Sequence, residues 1–470
     1  MTSENDRRNV DETRRETAAG SAASREDHVV VVGAGLAGSE CAYQLARRGV
    51  PVELWEMRPE RSTPAHQGPD FAELVCSNSL RSDDPEHAAG LLKREMERFD
   101  SLIIAAARAS AVPAGSALAV DRERFARQVT ATLEAEPRIR IVRREIESLP
   151  APGAAAAAVL ATGPLTSEAL SKALMEQLGD ESLYFYDAIA PIVEAESLDM
   201  SKLFAGSRYG KGGGDDYLNA PMDERQYLAF YEALTTARVV ELRDFEANLF
   251  FEGCLPIEEM ARRGVDTLRF GPMKPVGLTP PSGVPAHAIV QLRQENLARS
   301  QYNLVGFQSR MSWGDQKRVL SMIPGLERAE FVRLGQVHRN TFVNSPRHLD
   351  RCYRLRGAPH LRLAGQITGV EGYLESAATG LLVALYTSFE LAGRDFEPLP
   401  YTTALGALAR HLTESDPERF QPANINYGLF EPLPGRVRKR ERRSAQVRRA
   451  EEALGAWIGR FSPPPLQRVS

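Results

Sequence analysis

Cysteine is scarce in this chain: four in 470 residues, at Cys41, Cys76, Cys254 and Cys352. No two stand at metal-like spacing, and so few thiols cannot frame a disulfide-built fold. They read as reduced thiols in a cytoplasmic protein with no metal site. Long apolar runs are missing too. None approaches the roughly 20 residues that cross a bilayer, so no membrane partner is expected. Met1 to Asp27 has no apolar core and more acids than bases; it reads as a disordered extension and not as a leader. Charge of one sign is also lacking. A net charge of −4 gives no global sign of nucleic-acid binding, DNA is not an expected partner, and any polyanion must meet a local basic patch. No repeat recurs at a solenoid period.

What is present is ordinary globular composition, 43% hydrophobic and 26% charged, at a length that suggests two domains. His28 to Val32 is a β-branched run that meets glycine abruptly, as a buried parallel strand does. Gly33-Ala34-Gly35-Leu36-Ala37-Gly38 follows, then helix formers to Arg48, with Gly49 where a helix-ending glycine belongs. Val52 to Trp55 reads as a second strand with Glu56 at its end. This β-α-β unit is a dinucleotide fingerprint. The first glycine allows the turn, the second lets the backbone approach a pyrophosphate, and the third lets helix and strand pack closely. The helix start offers free N–H groups to phosphate, and Glu56 is placed to accept from a ribose diol.

Which dinucleotide binds is read from two later segments. Ala154 to Gly163 ends in Ala-Thr-Gly, as a strand approaching a dinucleotide does. Far downstream, Gly365-Gln-Ile-Thr-Gly369-Val-Glu-Gly372-Tyr373 precedes a long apolar helix expected over Ala377 to Leu391, and can bring a second helix start to the cofactor. Together they favour FAD over NAD. The expected fold is therefore α/β: a two-segment Rossmann-type FAD-binding domain, 28–190 and 326–470, with an inserted smaller α+β domain, 191–325. Helices are also expected from His87 to Ala107 and from Asp121 to Ala135.

Cys76, in Glu73-Leu-Val-Cys-Ser-Asn-Ser-Leu-Arg81, and Cys254, in Phe251-Glu-Gly-Cys-Leu-Pro256, adjoin small or polar residues. Cys76 is expected just before a helix, with Arg81 near it in sequence. A thiol near a helix start or a cation becomes a usable nucleophile, although free cysteine is equally at home in a core. Cys41 reads as packing inside the first helix, and Cys352 carries no motif. On residues alone, a small-molecule flavin oxidoreductase using Cys76 and Cys254 as a redox pair stays open, as does a flavin-binding RNA chaperone.

Cys76-Ser-Asn-Ser-Leu-Arg81, Phe251 to Pro256, Val337-His-Arg-Asn-Thr-Phe342 and Gly365 to Tyr373 together resemble the signatures of the folate- and FAD-dependent tRNA (uracil-5-)-methyltransferases, from about Val29 to Trp457. A sister family that modifies the wobble uridine of tRNA shares the first glycine loop and the His-Arg-Asn-Thr segment, but is longer. The resemblance implies methylation of a T-loop uridine at carbon 5. 5,10-Methylenetetrahydrofolate would donate the carbon, FAD would be the reductant, and NADPH or NADH would reduce it again. It also implies that Cys76 and Cys254 are the catalytic thiols; the same chemistry on ribosomal RNA remains open. Carbon 5 of uracil becomes nucleophilic when a thiolate adds at carbon 6, but the division of labour between the thiols does not follow, nor does the base that removes the carbon-5 proton. For RNA contact the candidates are the basic run Arg436 to Arg443 with Arg448 and Arg449, and Arg262, Arg263 and Lys274. Phe250 and Phe251 read as core.

Overall fold

The computed structural model describes residues 28–63, 65–179, 183–240 and 255–463. The extension 1–27, Phe250, Phe251 and Cys254 lie outside them. Six strands form the first sheet: Val29–Val32 (β1), Val52–Glu56 (β2), Ile139–Arg143 (β3), Ala157–Leu160 (β4), Arg354–Leu355 (β5) and Ala358–Leu363 (β6), in the spatial order β5-β6-β4-β1-β2-β3. All pairs are parallel except β5 with β6. All four valines of β1 are buried, as an interior parallel strand requires.

Helix α1 (Leu36–Arg47) follows β1, and Gly49, at φ +86°, ends it. Helix α2 (Tyr373–Leu391) packs on α1 and starts four residues before the expected Ala377. Their closeness depends on Gly380, where a Cβ would lie 2.1 Å from the Ala37 carbonyl oxygen. No helix among the described residues is long and apolar enough to cross a membrane.

Two expected elements differ. The stretch His87 to Ala107 is two helices, Ala88–Glu97 and Leu102–Ala109. Asp100 turns to φ +54°, and Ser101 Oγ accepts from Ile104 N–H to start the second. After Cys76 comes a strand, Ser79–Ser82, and not a helix. Ser77 and Ser79 hydroxyls accept from the amides two residues on, a local bonding that competes with helix, and Ser79 pairs with Ala119.

A second, antiparallel sheet runs Phe204–Ala205, Tyr217–Met222, Ala288–Gln294, Gln301–Leu304, Ile192–Glu194 and Phe331–Arg333. It has a core of its own around Tyr227, Phe230 and Phe307. Because Phe331–Arg333 pairs with Ile192 and Val193, the chain is still in this sheet after the expected return at 326. Leu183–Ala188 and Val337–Phe342 pair antiparallel and link the two sheets.

Candidate active site

A cleft opens at the carboxyl ends of β1 and β4, where the strand order reverses and ligands of such sheets bind. Gly33, Gly35, Leu36, Ala37, Glu56, Thr162, Gly365 and Tyr373 line it. Gly33 takes φ +96°, and a Cβ on Gly38 would lie 1.7 Å from the Gly33 carbonyl oxygen. Gly35 differs: nothing lies within 4 Å of its would-be Cβ, so the wall there is bare backbone open to the cleft. The start of α1 has no side-chain cap and no acid in its first turn, which leaves its amides free for an anion. These features fit a pyrophosphate.

Glu56 is a largely buried part of this lining. Its Oε2 accepts from Ala34 N–H at 2.9 Å, and its Oε1 accepts from the amide and Nε of Arg58, each at 3.0 Å. Burial pushes its carboxyl up, but Arg58 and these bonds outweigh it and hold the group below its ordinary range. Arg58 in turn pairs with Glu73 at 3.0 Å. Arg58 and Glu73 line the cleft without having been anticipated; only their position after β2 hinted at them. From the distant segment, Gly365 at φ +81° leaves room for Ala37, whose Cβ would lie 2.8 Å from one on Gly365. Its amide donates to Thr379 Oγ1 at 2.7 Å.

A second cleft is lined by Cys76, Ser77, Arg81, Arg293, Gln308, Glu371, Gly372 and Asn424 among others. It meets the first at Val75, Pro164, Leu165, Gln366 and Tyr373, which line both. Gly372 thus belongs to the second cleft and not the first. It takes φ +110° and precedes α2, where a Cβ would lie 2.5 Å from Glu375 Oε2.

Cys76 sits at this junction. The Tyr373 hydroxyl accepts the amides of Cys76 and Ser77 at 2.7 and 3.1 Å and lies 2.9 Å from Cys76 Sγ. With its acceptor side taken, its own hydrogen points to the sulfur. Burial, with Cys76 beside it, pushes the Tyr373 hydroxyl well above its ordinary range, so it stays a donor. The cation nearest in sequence, Arg81, pairs instead with Glu375 at 2.5 Å. Arg122 and Arg333 take its place, donating to the carbonyls of Leu74 and Val75 at 2.8 and 2.7 Å. From the second sheet, Arg293 donates to Ser77 Oγ at 2.9 Å and Asn78 Oδ1 at 2.8 Å. No local motif marks these arginines.

Burial favours the protonated form of the other described thiols. Cys41 is fully buried, which pushes its thiol far up; Cys352 is pushed to about 11, by burial first and then by Asp350. Beyond Cys254, Ile257 N–H donates to the Gln308 carbonyl at 2.8 Å, and Gln308 lines the second cleft. Of the proposed RNA contacts, Arg262 is paired with Glu259 at 2.7 Å, whereas the run from Arg436 is exposed and leads into the helix Arg442–Phe461. No cluster of three metal-ligating side chains occurs among the described residues.

The fold and first cleft define a Rossmann-type flavoprotein. The family described as "Glucose inhibited division protein A" matches residues 28–395. Proteins named methylenetetrahydrofolate--tRNA-(uracil-5-)-methyltransferase TrmFO are similar over nearly the whole chain. That of Pelobacter propionicus is 55% identical, covering 93% of this chain and 96% of the relative. That of Anaeromyxobacter dehalogenans is 57% identical, covering 94% and 99%. The chain belongs to the methylenetetrahydrofolate--tRNA-(uracil-5-)-methyltransferase family. Its fold is shared with Aquifex aeolicus GidA: one crystal form gives a TM-score of 0.66 at 16% identity, covering 91% of this chain and 76% of that one.

Proposed function

We propose that this protein transfers a one-carbon unit from 5,10-methylenetetrahydrofolate to carbon 5 of the T-loop uridine of tRNA, in the cytoplasm, as a flavoenzyme. The observation that carries the reading is the place of Cys76, where a dinucleotide cleft and a second cleft meet. Beside the reductant, a methyl transfer to RNA must also seat a carbon donor and a base, and the second cleft offers space for them next to this thiol.

The glycine loop, the start of α1 and Glu56 would hold FAD, with Gly365 closing the site from the far segment. Bound there, reduced flavin would supply the electrons that turn a methylene into a methyl, and NADPH or NADH would restore it. The protein's own residues do the rest. Cys254 and Cys76 are the two catalytic thiols. A thiolate adds to carbon 6 of uracil, forming a C–S bond while the C5–C6 pair moves to make an enolate nucleophilic at carbon 5. Tyr373 directs its O–H at the Cys76 sulfur, and Arg122 and Arg333 fix the backbone before it. The target base must leave its stack to reach this junction.

The test is an assay of the purified, yellow protein on a T-arm transcript. Methylation is expected only with methylenetetrahydrofolate and a reduced nicotinamide, and is lost in Cys254→Ala and strongly reduced in Cys76→Ala. Methylation with S-adenosylmethionine alone would overturn the proposal.

A further inference from the structure

We propose that the exposed basic ridge Arg436–Arg443 is the surface on which the phosphate backbone of the tRNA docks beside the second cleft. The inference rests on the proposed function and adds to it where the RNA is held.

Many surface arginines elsewhere in the chain are paired with acids. Arg61 is bound to Glu145, Arg108 to Glu97 and Arg460 to Glu397. On the ridge, Arg436, Arg438, Lys439 and Arg442 are exposed and have no carboxylate partner among the described residues, and Arg448 further along the helix has none either. Among the described residues only Arg440 of the ridge meets an acid, Glu441, at 3.3 Å. Like charges crowded without partners repel, so the run adds nothing to the fold's stability. Their repulsion is relieved by a polyanion, which also releases its counterions.

The position follows from two chains of contact. Arg443 Nη1 lies 3.4 Å from His87 Nε2, and the ridge helix is tied to Ala88–Glu97 by the pair Arg94–Glu451 at 2.8 Å. From His87 the chain runs back to Arg81 on the cleft wall, and six residues span at most about 20 Å. Independently, the Tyr427 hydroxyl donates to the Glu86 carbonyl at 2.9 Å. Three residues before it, Asn424 lines the same cleft and donates to the Glu371 carbonyl. Two short chain paths therefore join the Arg443 end of the ridge to the wall of the cleft that holds Cys76.

The chemistry of the ridge selects its partner. A protein partner would need an apolar centre to the contact. The run offers only Val437, half-buried. Its arginine forks suit phosphate oxygens, which position a nucleic acid without reading its sequence.

The experiment is the salt dependence of tRNA binding by the full-length flavoprotein and by the triple variant Arg436→Ala, Arg438→Ala, Lys439→Ala. All three side chains are exposed, and unchanged flavin content and melting temperature verify the fold. Each lost phosphate contact lowers the slope of log K against log salt by about 0.7–0.9, so a flattening of about 2 is expected, with tRNA bound roughly tenfold to a hundredfold more weakly near 0.1 M salt. In turnover the KM for tRNA should rise by a like factor, with kcat at saturating tRNA kept. An unchanged slope in a variant that still methylates would overturn the ridge. So would loss of binding to phosphatidylserine vesicles with tRNA affinity unmoved, which would assign these residues to a lipid surface. Failure of the wild-type protein to methylate any tRNA would instead overturn the proposed function.

Discussion

The hydroxyl of Tyr373 and the sulfur of Cys76, 297 residues apart in sequence, lie 2.9 Å from each other. The same oxygen also accepts two amides of the Cys76 loop, so one side chain ties the start of α2 to the thiol where the two clefts join. Tyr373→Phe keeps the ring and removes only this oxygen. Two half-buried amides then lose their acceptor, at a cost of about 1–3 kcal/mol, and a Cys76 thiolate loses a donor. We expect iodoacetamide to label Cys76 more slowly near neutral pH in Tyr373→Phe, followed by mass spectrometry of the Cys76 peptide. Equal rates would show that the bond does not tune the thiol.

Two glycines of the phosphate loop separate binding from folding. A methyl on Gly35 meets open space, and its backbone, φ −70° and ψ −170°, suits alanine. Gly35→Ala should fold with an unchanged melting temperature as apoprotein but lose most of its flavin absorbance, because the methyl stands where a phosphate would approach. A methyl on Gly38 would sit on the Gly33 carbonyl. Overpacking of this kind costs about 1–3 kcal/mol or more, so Gly38→Ala should lower the melting temperature even without cofactor.

Where sequence was informative, a local rule connected residue to structure. The loop from Gly33 to Gly38, the strand before it and Glu56 after it form one β-α-β unit, and each part is recognisable at short range. The long apolar helix was legible for the same reason, although Gly372 and Tyr373, which start it, read as the end of the glycine segment before it. The surroundings of Cys76 were not legible. Arg81 is close in sequence yet turns to Glu375, while Arg122, Arg293 and Arg333 arrive from other elements, two of them on the second sheet. No spacing along a chain encodes such a meeting. The strand at Ser79–Ser82 was missed because serine hydroxyls bonding to nearby amides outweigh helix formation only once Ala119 is there to pair.

Arg122 joins the Cys76 loop to the second sheet. Its Nε donates to Glu295 Oε2 at 2.6 Å and its Nη1 to the Leu74 carbonyl, with Glu295 almost wholly buried. Removing one partner of a buried pair leaves the other charge unpaired and costs about 3–5 kcal/mol. Arg122→Ala should therefore lower the urea midpoint strongly. The double variant Arg122→Met, Glu295→Leu should recover much of the loss while activity stays low, because the loop before Cys76 is still untied. Stability that fails to recover in the double variant would place the loss in the other bonds it removes, from Arg122 to the Leu74 carbonyl and from Asn303 to Glu295.

Glu95 gives the fold a pH dependence of its own. It is fully buried and accepts the amides of Ala404 and Leu405 at 2.7 and 2.9 Å, capping the helix Ala404–Glu414. Both bonds favour the charged form, but burial outweighs them and pushes its carboxyl up to about 8. Between the ordinary carboxyl value and about 8 the native state therefore holds a proton that the unfolded state releases. The linkage makes this contribution to stability largest below the ordinary value, declining as pH rises and gone above about 8. Melting temperature should fall from pH 5 to pH 8 in the wild type. Glu95→Gln keeps an acceptor for the capping amides but does not titrate, so its melting curve should be flatter across that window. An equal fall in both proteins would assign the dependence to another group.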